Sequence, residues 1–244
     1  MFKLSSNRNP LSAEIAPLDN QVVKTDEPLP QAHIVYIICG KRGSGKSTLL
    51  LNLLKRKNSP YHKFYDNIMM CSPTAGRDPK FDKLVDELQR ENKFYDTLND
   101  EVITDIVERL KEFNDEYAVE HPKSQPHNLL ILDDCIHLMG SSTQHSALNQ
   151  LFSNGRHLKL TLFICTQKLN KLSTLCRSQA DLITFFPNDN QKEFDTLESE
   201  WNIDPKLLKS VYNYATDEPN SFLHISLFGR RPQFFKRFDK IDIE

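Results

Sequence analysis

Short apolar runs alternate along this chain with segments of helical period, and clusters of turn residues separate them. Ile34 to Cys39, IVYIIC, is β-branched and apolar on both faces, the pattern of a strand buried inside a parallel sheet. Gly40 stops it. From Ser44 to about Lys57 the leucines at 49, 50, 53 and 54 share one helical face, and Asn58-Ser59-Pro60 leads the chain out. Asp66 to Thr74, DNIMMCSPT, predicts a second strand running into a turn. Asp78 followed by Pro79 predicts the cap and first position of a helix through DPKFDKLVDELQREN. A further helix spans about Asp100 to Tyr117. Leu129 to Cys135, LLILDDC, predicts a third buried strand that ends in two carboxylates. A helix around Thr143 to Phe152 then leads through SNGRH to a fourth strand, Leu160 to Gln167, and a fifth follows over Asp181 to Phe186.

Strands that alternate with helices in this way predict a three-layer α/β fold around a mainly parallel central sheet. The end of the chain differs. Helices are expected over Gln191–Glu200 and Pro205–Asn213, and SFLHISLF and QFFKRF flank a Gly-Arg-Arg-Pro turn, which predicts an antiparallel β-hairpin extending the sheet. Residues 1–30 hold Pro10, Pro17, Pro28 and Pro30 among polar residues and read as an extended arm. The expected organisation is therefore an arm over 1–30, a core over 31–190, and C-terminal helices and hairpin over 191–244.

Composition narrows the function classes. Across 244 residues, 31 Lys and Arg balance 33 Asp and Glu, so a net charge of −2 gives no chain-wide pull toward nucleic acid or membrane. Local patches would have to supply one. Lys55-Arg56-Lys57 reads as a solvated helix end, and Arg230, Arg231, Lys236 and Arg237 around the hairpin form the better patch. Cys39, Cys71, Cys135, Cys165 and Cys176 show no C-x-x-C spacing and read as reduced core thiols of an intracellular protein. The first residues carry no apolar secretory core, and no window approaches a membrane span, so neither export nor embedding is expected.

Gly40 to Ser47 reads G-x-x-x-x-G-K-S between a buried strand and a helix, the context that makes this pattern a phosphate loop. Residues Gly40, Lys41, Arg42, Gly43, Ser44, Gly45, Lys46, Ser47 and Thr48 are thus the candidate nucleotide-binding set. The glycines let successive N–H groups face phosphate oxygens, and the helix N-terminus adds partial positive charge. Lys46 is expected on the β- and γ-phosphates, the Ser47 hydroxyl on Mg²⁺, and Thr48 beside the α-phosphate. Asp133 and Asp134 follow a buried strand about 90 residues later. Asp133 is the candidate second metal residue, acting through water, and Asp134 the base that takes a proton from attacking water. Gln167 closes the fourth strand and is expected near the γ-phosphate. TQKLNKLS has Ser173 where a guanine-reading motif needs aspartate, so ATP is expected rather than GTP. Arg156 and Arg177 both lie in turns before strands, and either could reach a neighbouring subunit's phosphates.

The motifs CGKRGSGKSTLL, IMMCSPT, NLLILDDC, LFSNGRHLKLTLFICTQ and LCRSQADLITFF, in this order from Ile34 to Phe186, resemble the FtsK-HerA superfamily of P-loop ATPases. Within it the chain is similar to the genome-packaging ATPases of large DNA viruses, the poxvirus type among them, and of virophages. The resemblance implies a RecA/ASCE-like P-loop NTPase fold. It also implies a homo-oligomeric ring that hydrolyses ATP with Mg²⁺ and drives double-stranded DNA into a preformed capsid, with a capsid or portal protein as partner. The setting it implies is the host cytoplasm, in a viral factory or with the virion. In that family the arginine before the glutamine-bearing strand acts in trans, which favours Arg156 over Arg177 without excluding the latter, and Asp134 stands where many members carry glutamate. The hairpin and the insertion between Glu91 and Gln125 are the candidate DNA-facing loops. Two other readings remain open on the residues alone: a P-loop kinase acting on a small acceptor, and an ATP-dependent assembly factor without turnover.

Overall fold

A computed structural model describes residues 28–31, 33–135 and 146–243. Among these residues one sheet holds nine strands: β1 (Val35–Cys39), β2 (Asn67–Cys71), β3 (Phe94–Tyr95), β4 (Asn128–Asp133), β5 (Leu160–Thr166), β6 (Leu182–Phe185), β7 (Leu223–Ser226), β8 (Gln233–Lys236) and β9 (Asp239–Lys240). Their order is β3-β2-β4-β5-β1-β6-β7-β8-β9. The first six run parallel, and β7 to β9 continue antiparallel from β6.

The apolar strands are buried because helices cover both faces. Tyr36 and Ile38 of β1 face α1 (Lys46–Lys55) and α2 (Asp82–Arg90), which contribute Leu49, Leu50, Leu53, Leu54, Leu84, Val85 and Leu88. Ile37 and Cys39 face the other layer, built from α3 (Asp100–Glu120), α4 (Ser146–Asn154), α5 (Thr174–Ser178), α6 (Gln191–Trp201) and α7 (Pro205–Ala215). Strict alternation of the two faces along β1 is the period-2 geometry of a strand with no solvent side. The expected three-layer α/β architecture with its C-terminal hairpin is therefore present, and all five cysteines are buried free thiols. No helix among the described residues is long and apolar enough to cross a membrane.

The hairpin is tied to the parallel sheet by a buried polar chain. His224 Nε2 lies 2.7 Å from the Pro28 carbonyl, which only a ring N–H can satisfy, so Nδ1 accepts from the Thr184 hydroxyl at 3.0 Å. Thr184 Oγ1 in turn accepts from the Tyr36 hydroxyl at 2.6 Å. Burial holds the neutral imidazole, pushing the His224 pKa down to about 4.

Three details depart from the expectation. The arm was expected to run to residue 30, yet Leu29 is buried and the Tyr61 hydroxyl donates to the Pro30 carbonyl at 3.0 Å; residues 1–27 lie outside the described residues. The helix expected from Asp78 begins at Asp82, because the Asp78 carboxylate accepts from Lys80 N–H at 3.1 Å and closes a local turn instead of a helix cap. The helix expected over Thr143–Phe152 covers Ser146–Asn154, with residues 136–145 outside the described set. Between β1 and the carboxylate-bearing strand β4 lies β5, which pairs with both.

Candidate nucleotide cleft

The loop after β1 takes its shape from glycines at two positions. Gly45 sits at φ +106°, a left-handed conformation that favours glycine, and α1 starts at the next residue, Lys46. At Gly40 the constraint is contact: an added Cβ would lie 2.5 Å from Ser44 Oγ and 2.7 Å from Phe186 Cβ. Phe186, buried beneath the loop, thereby acts as its floor. No side chain caps α1, so its first-turn amides are available to an anion at the positive end of the helix dipole. Lys46 is buried and folds back over the loop, donating to the Gly40 carbonyl at 2.8 Å and the Lys41 carbonyl at 3.2 Å. An ammonium has three donors, so one remains for a phosphate oxygen.

Because Gly40 N–H donates to the Thr166 carbonyl at 3.0 Å, the loop and the end of β5 meet directly, and β4 ends one strand further on. Asp133 is 4% exposed, and its Oδ2 accepts from the Ser72 hydroxyl at 3.0 Å. Burial, reinforced by the Asp134 charge, raises its pKa to about 6, against the pull of Ser72 and Lys46. Asp134 leaves the strand at φ +52°, a conformation that Asp tolerates better than most side chains, and its N–H still pairs with the Cys165 carbonyl at 3.1 Å. Its Oδ2 accepts from Gln167 Nε2 at 3.2 Å. The expected base and the residue expected near the γ-phosphate are thus in contact.

These groups line one cleft of about 780 Å³ at the carboxyl edge of the sheet, shared by Arg42, Gly43, Gly45, Lys46, Ser47 and Thr48 with Asp133, Asp134 and Gln167. Size, free amides, the buried Lys46 and adjacent carboxylates suit a nucleoside triphosphate with a hard divalent cation. Two buried oxygens in this region, Ser44 Oγ and Asp134 Oδ1, have no hydrogen-bond partner among the described residues, as expected of groups kept for a ligand. Lys41 forms an ion pair with Asp189, so this loop residue is held by the segment after β6.

The structure adds residues that the sequence did not single out. Ser72 comes from the end of β2, and Arg77, Asp78 and Lys80 from the turn before α2; Asn220, from the loop before β7, lines the same cleft. Only IMMCSPT hinted at the first, as a strand running into a turn. Nothing local marked Asn220.

Arg156 is elsewhere. It precedes β5, whereas Gln167 follows it, and seven extended residues separate their ends by roughly 20 Å. Arg156 is exposed at the amino edge of the sheet, on a hollow of about 180 Å³ shared with His33 and Asp181. Burial raises the Asp181 pKa to about 6, opposed by the Val35 N–H and by the Arg156 charge. The rival, Arg177, is engaged internally: its Nε donates to Glu200 at 2.7 Å, both side chains are 15% exposed, and a second nitrogen donates to the Leu172 carbonyl. Ser173 caps α5, accepting from Cys176 N–H at 3.2 Å. The hairpin patch is weaker than its sequence suggests, since Lys236 pairs with Asp217 and Glu218 and Arg237 with Glu218. Arg230 and Arg231 stay exposed.

The family model described as Poxvirus A32 protein matches residues 25–218. The uncharacterized protein 075L of Invertebrate iridescent virus 6 is 29% identical over 185 residues, 73% of this chain; the match spans 59% of that relative's own length. Among solved structures, the genome packaging NTPase B204 of Sulfolobus turreted icosahedral virus 2, in complex with ATP-gammaS, aligns with a TM-score of 0.60. That match has 20% identity and covers 84% of this chain and 98% of B204. ATPases 2 and 3 of EssC from Geobacillus thermodenitrificans align with a TM-score of 0.52 at 15% identity, over 86% of this chain and 41% of that one. Both likenesses speak for a shared P-loop fold.

Proposed function

This chain belongs to the poxvirus A32 protein family, and on that premise we propose that it is an ATP hydrolase that drives double-stranded DNA into a viral capsid as a ring of identical subunits. The observation that carries the reading is the convergence of Lys46, Ser47, Asp133, Asp134 and Gln167 on one cleft at the carboxyl edge. B204, a genome packaging NTPase, is similar in fold, and its structure holds ATP-gammaS.

In this reading the loop amides and Lys46 hold the phosphates of ATP, with Ser47 and Asp133 as the residues that hold Mg²⁺. When bound there, the metal would supply neutralisation of the phosphates' negative charge. Asp134 accepts a proton from a water that attacks the γ-phosphorus, the bridging β–γ bond breaks, and ADP leaves with the electron pair. Gln167 holds Asp134 through its amide and points the carboxylate at that water. Arg156 cannot serve its own cleft from the opposite edge of the sheet, so it serves a neighbour's, where an arginine finger is worth roughly 10³ to 10⁵ in rate. Hydrolysis then requires adjacent subunits to close, and loss of γ-phosphate releases the closure. DNA is gripped through its phosphates without sequence preference, which makes the grip salt-sensitive. A capsid or portal protein is the partner that receives the DNA.

The test is steady-state ATPase activity with and without long double-stranded DNA, for wild type, Arg156→Ala and mixtures of the two. DNA stimulation, together with mutant subunits that poison wild type beyond dilution, is expected. Activity indifferent to DNA and merely additive mixing would overturn the motor and direct attention to small phosphate acceptors.

A further inference from the structure

We propose that Ser72 is a positioning residue that joins the metal carboxylate Asp133 to the 73–81 segment, so that binding of magnesium-nucleotide and ordering of that segment are one event. The inference rests on the reading of the cleft as a magnesium-nucleotide site.

Ser72 is buried at the end of β2, and its own N–H is occupied by the Tyr95 carbonyl at 2.9 Å. Its hydroxyl touches Asp133 Oδ2 at 3.0 Å, Ala75 N–H at 3.0 Å, Thr74 N–H at 3.3 Å and Thr74 Oγ1 at 3.4 Å. The two amides can only donate, so the hydroxyl accepts from both. Its single proton goes to the nearer and stronger acceptor, the Asp133 carboxylate, rather than to Thr74 Oγ1. That direction has two consequences. It fixes the Asp133 side chain through Oδ2 and leaves Oδ1 as the oxygen for the metal's water. It also hangs the first two amides after Pro73 on the same atom, so the turn Ala75–Arg77 cannot shift without loosening Asp133.

The segment so anchored is the one that brings Arg77, Asp78 and Lys80 to the wall of the cleft facing the phosphate loop, and Phe81 buries its far end. A cation that orients Asp133 favours the hydroxyl geometry seen here, and thereby the seated segment. By linkage, the seated segment favours the cation to the same degree. A serine serving only to close the turn would need the two amides and no carboxylate; the third bond is what ties the turn to the metal residue.

The experiment titrates Mg²⁺ against a fixed concentration of a fluorescent ADP analogue, which avoids turnover, for wild type, Ser72→Ala and Ser72→Thr. Removing an outer hydrogen-bond partner of a metal ligand is expected to raise the Mg²⁺ half-saturation about 10-fold or more in Ser72→Ala. Affinity for the analogue in EDTA should stay within about 2-fold, and Ser72→Thr, which keeps the hydroxyl, should retain the wild-type Mg²⁺ dependence. Amide exchange at Thr74 and Ala75 should slow on adding Mg²⁺ and ADP in wild type and not in Ser72→Ala. Unchanged Mg²⁺ dependence in Ser72→Ala, or equal weakening with and without Mg²⁺, would overturn the inference. If Ser72→Ala does not fold, the threonine variant decides: loss of Mg²⁺ coupling despite its hydroxyl overturns it too. Wild type that fails to bind the analogue at all is a different failure, because it removes the nucleotide reading itself and this inference with it.

Discussion

Replacing Asp133 by asparagine should stabilise the metal-free, nucleotide-free protein at neutral pH while removing its response to magnesium. The cost of the carboxylate follows from its burial, which lifts its pKa from 3.8 to about 6. At about 1.4 kcal/mol per unit, the ionised side chain makes the folded state about 3 kcal/mol less stable than a neutral one would. That figure already nets the pull of Lys46 and Ser72 against burial; Asn keeps an oxygen for the Ser72 hydroxyl but brings an amide NH2 that must be accommodated in a buried place, so the expected net gain is about 2 kcal/mol. For a chain of this size that is a rise in Tm of about 4–8 °C. The sign with pH is defined. Folded Asp133 holds its proton more tightly than the unfolded residue does, so the penalty is absent below about pH 4, grows as pH rises toward 6, and is complete above it. The penalty should therefore halve near pH 5, and the advantage of Asp133→Asn should fall there to about a third of its value at pH 7.5. Thermal melts in EDTA at pH 7.5 and 5.0 measure it. His33 and His224, both pushed to about 4, weaken the two proteins alike on acidification and cancel in the difference. A variant less stable than wild type at pH 7.5, or an advantage unchanged at pH 5, would refute the reasoning.

Two further outcomes follow from packing. Gly40→Ala forces its new methyl onto Ser44 Oγ and Phe186 Cβ, and should cost about 2 kcal/mol in thermal or urea unfolding, with weakened binding of ATP analogues because the loop must move. Arg177→Ala strips a half-sheltered Glu200 of its partner and should lower stability by about 1–2 kcal/mol, discounted for the solvent that still reaches the pair. Mixing Arg177→Ala with wild type should give additive ATPase activity; poisoning like that expected of Arg156→Ala would show that Arg177 also works between subunits.

What the sequence made legible is what physics writes locally. A strand buried on both faces must be apolar at every position, so β1, β4 and β5 declare themselves within a residue or two. A phosphate loop needs particular residue types at consecutive positions, so Gly40 to Ser47 declares itself as well. Lateral order is another matter. Parallel strands with interchangeable apolar patterns carry no mark of their neighbours, and so the insertion of β5 between β1 and β4 could not be read. The partners of Ser72, Lys236 and Arg237 were hidden for the same reason: Asp133 lies 61 residues from Ser72, and Asp217 and Glu218 lie 18 or 19 residues before the hairpin cations they neutralise. Asp78 was misjudged because a capping aspartate and a turn-closing aspartate look identical until the next amide chooses.

The insertion of β5 also bears on whether Arg156 can serve the cleft of its own chain. Since β5 lies against β1, its carboxyl end puts Gln167 beside the phosphate loop, and the same strand carries Arg156 away at its amino end. A strand of seven residues is rigid along its length and keeps those ends roughly 20 Å apart. No rotamer of Arg156 spans that distance, and no hinge inside a strand fully paired on both sides can shorten it. If Arg156 meets a γ-phosphate, the phosphate belongs to another chain, and because donor and acceptor edges differ, that contact is head-to-tail. Repeated, a head-to-tail contact either closes into a ring or grows into a filament. Closure of the proposed ring is therefore a matter of the rotation between neighbours, and the size of the wild-type particle in solution with an ATP analogue distinguishes a finite ring from an open polymer.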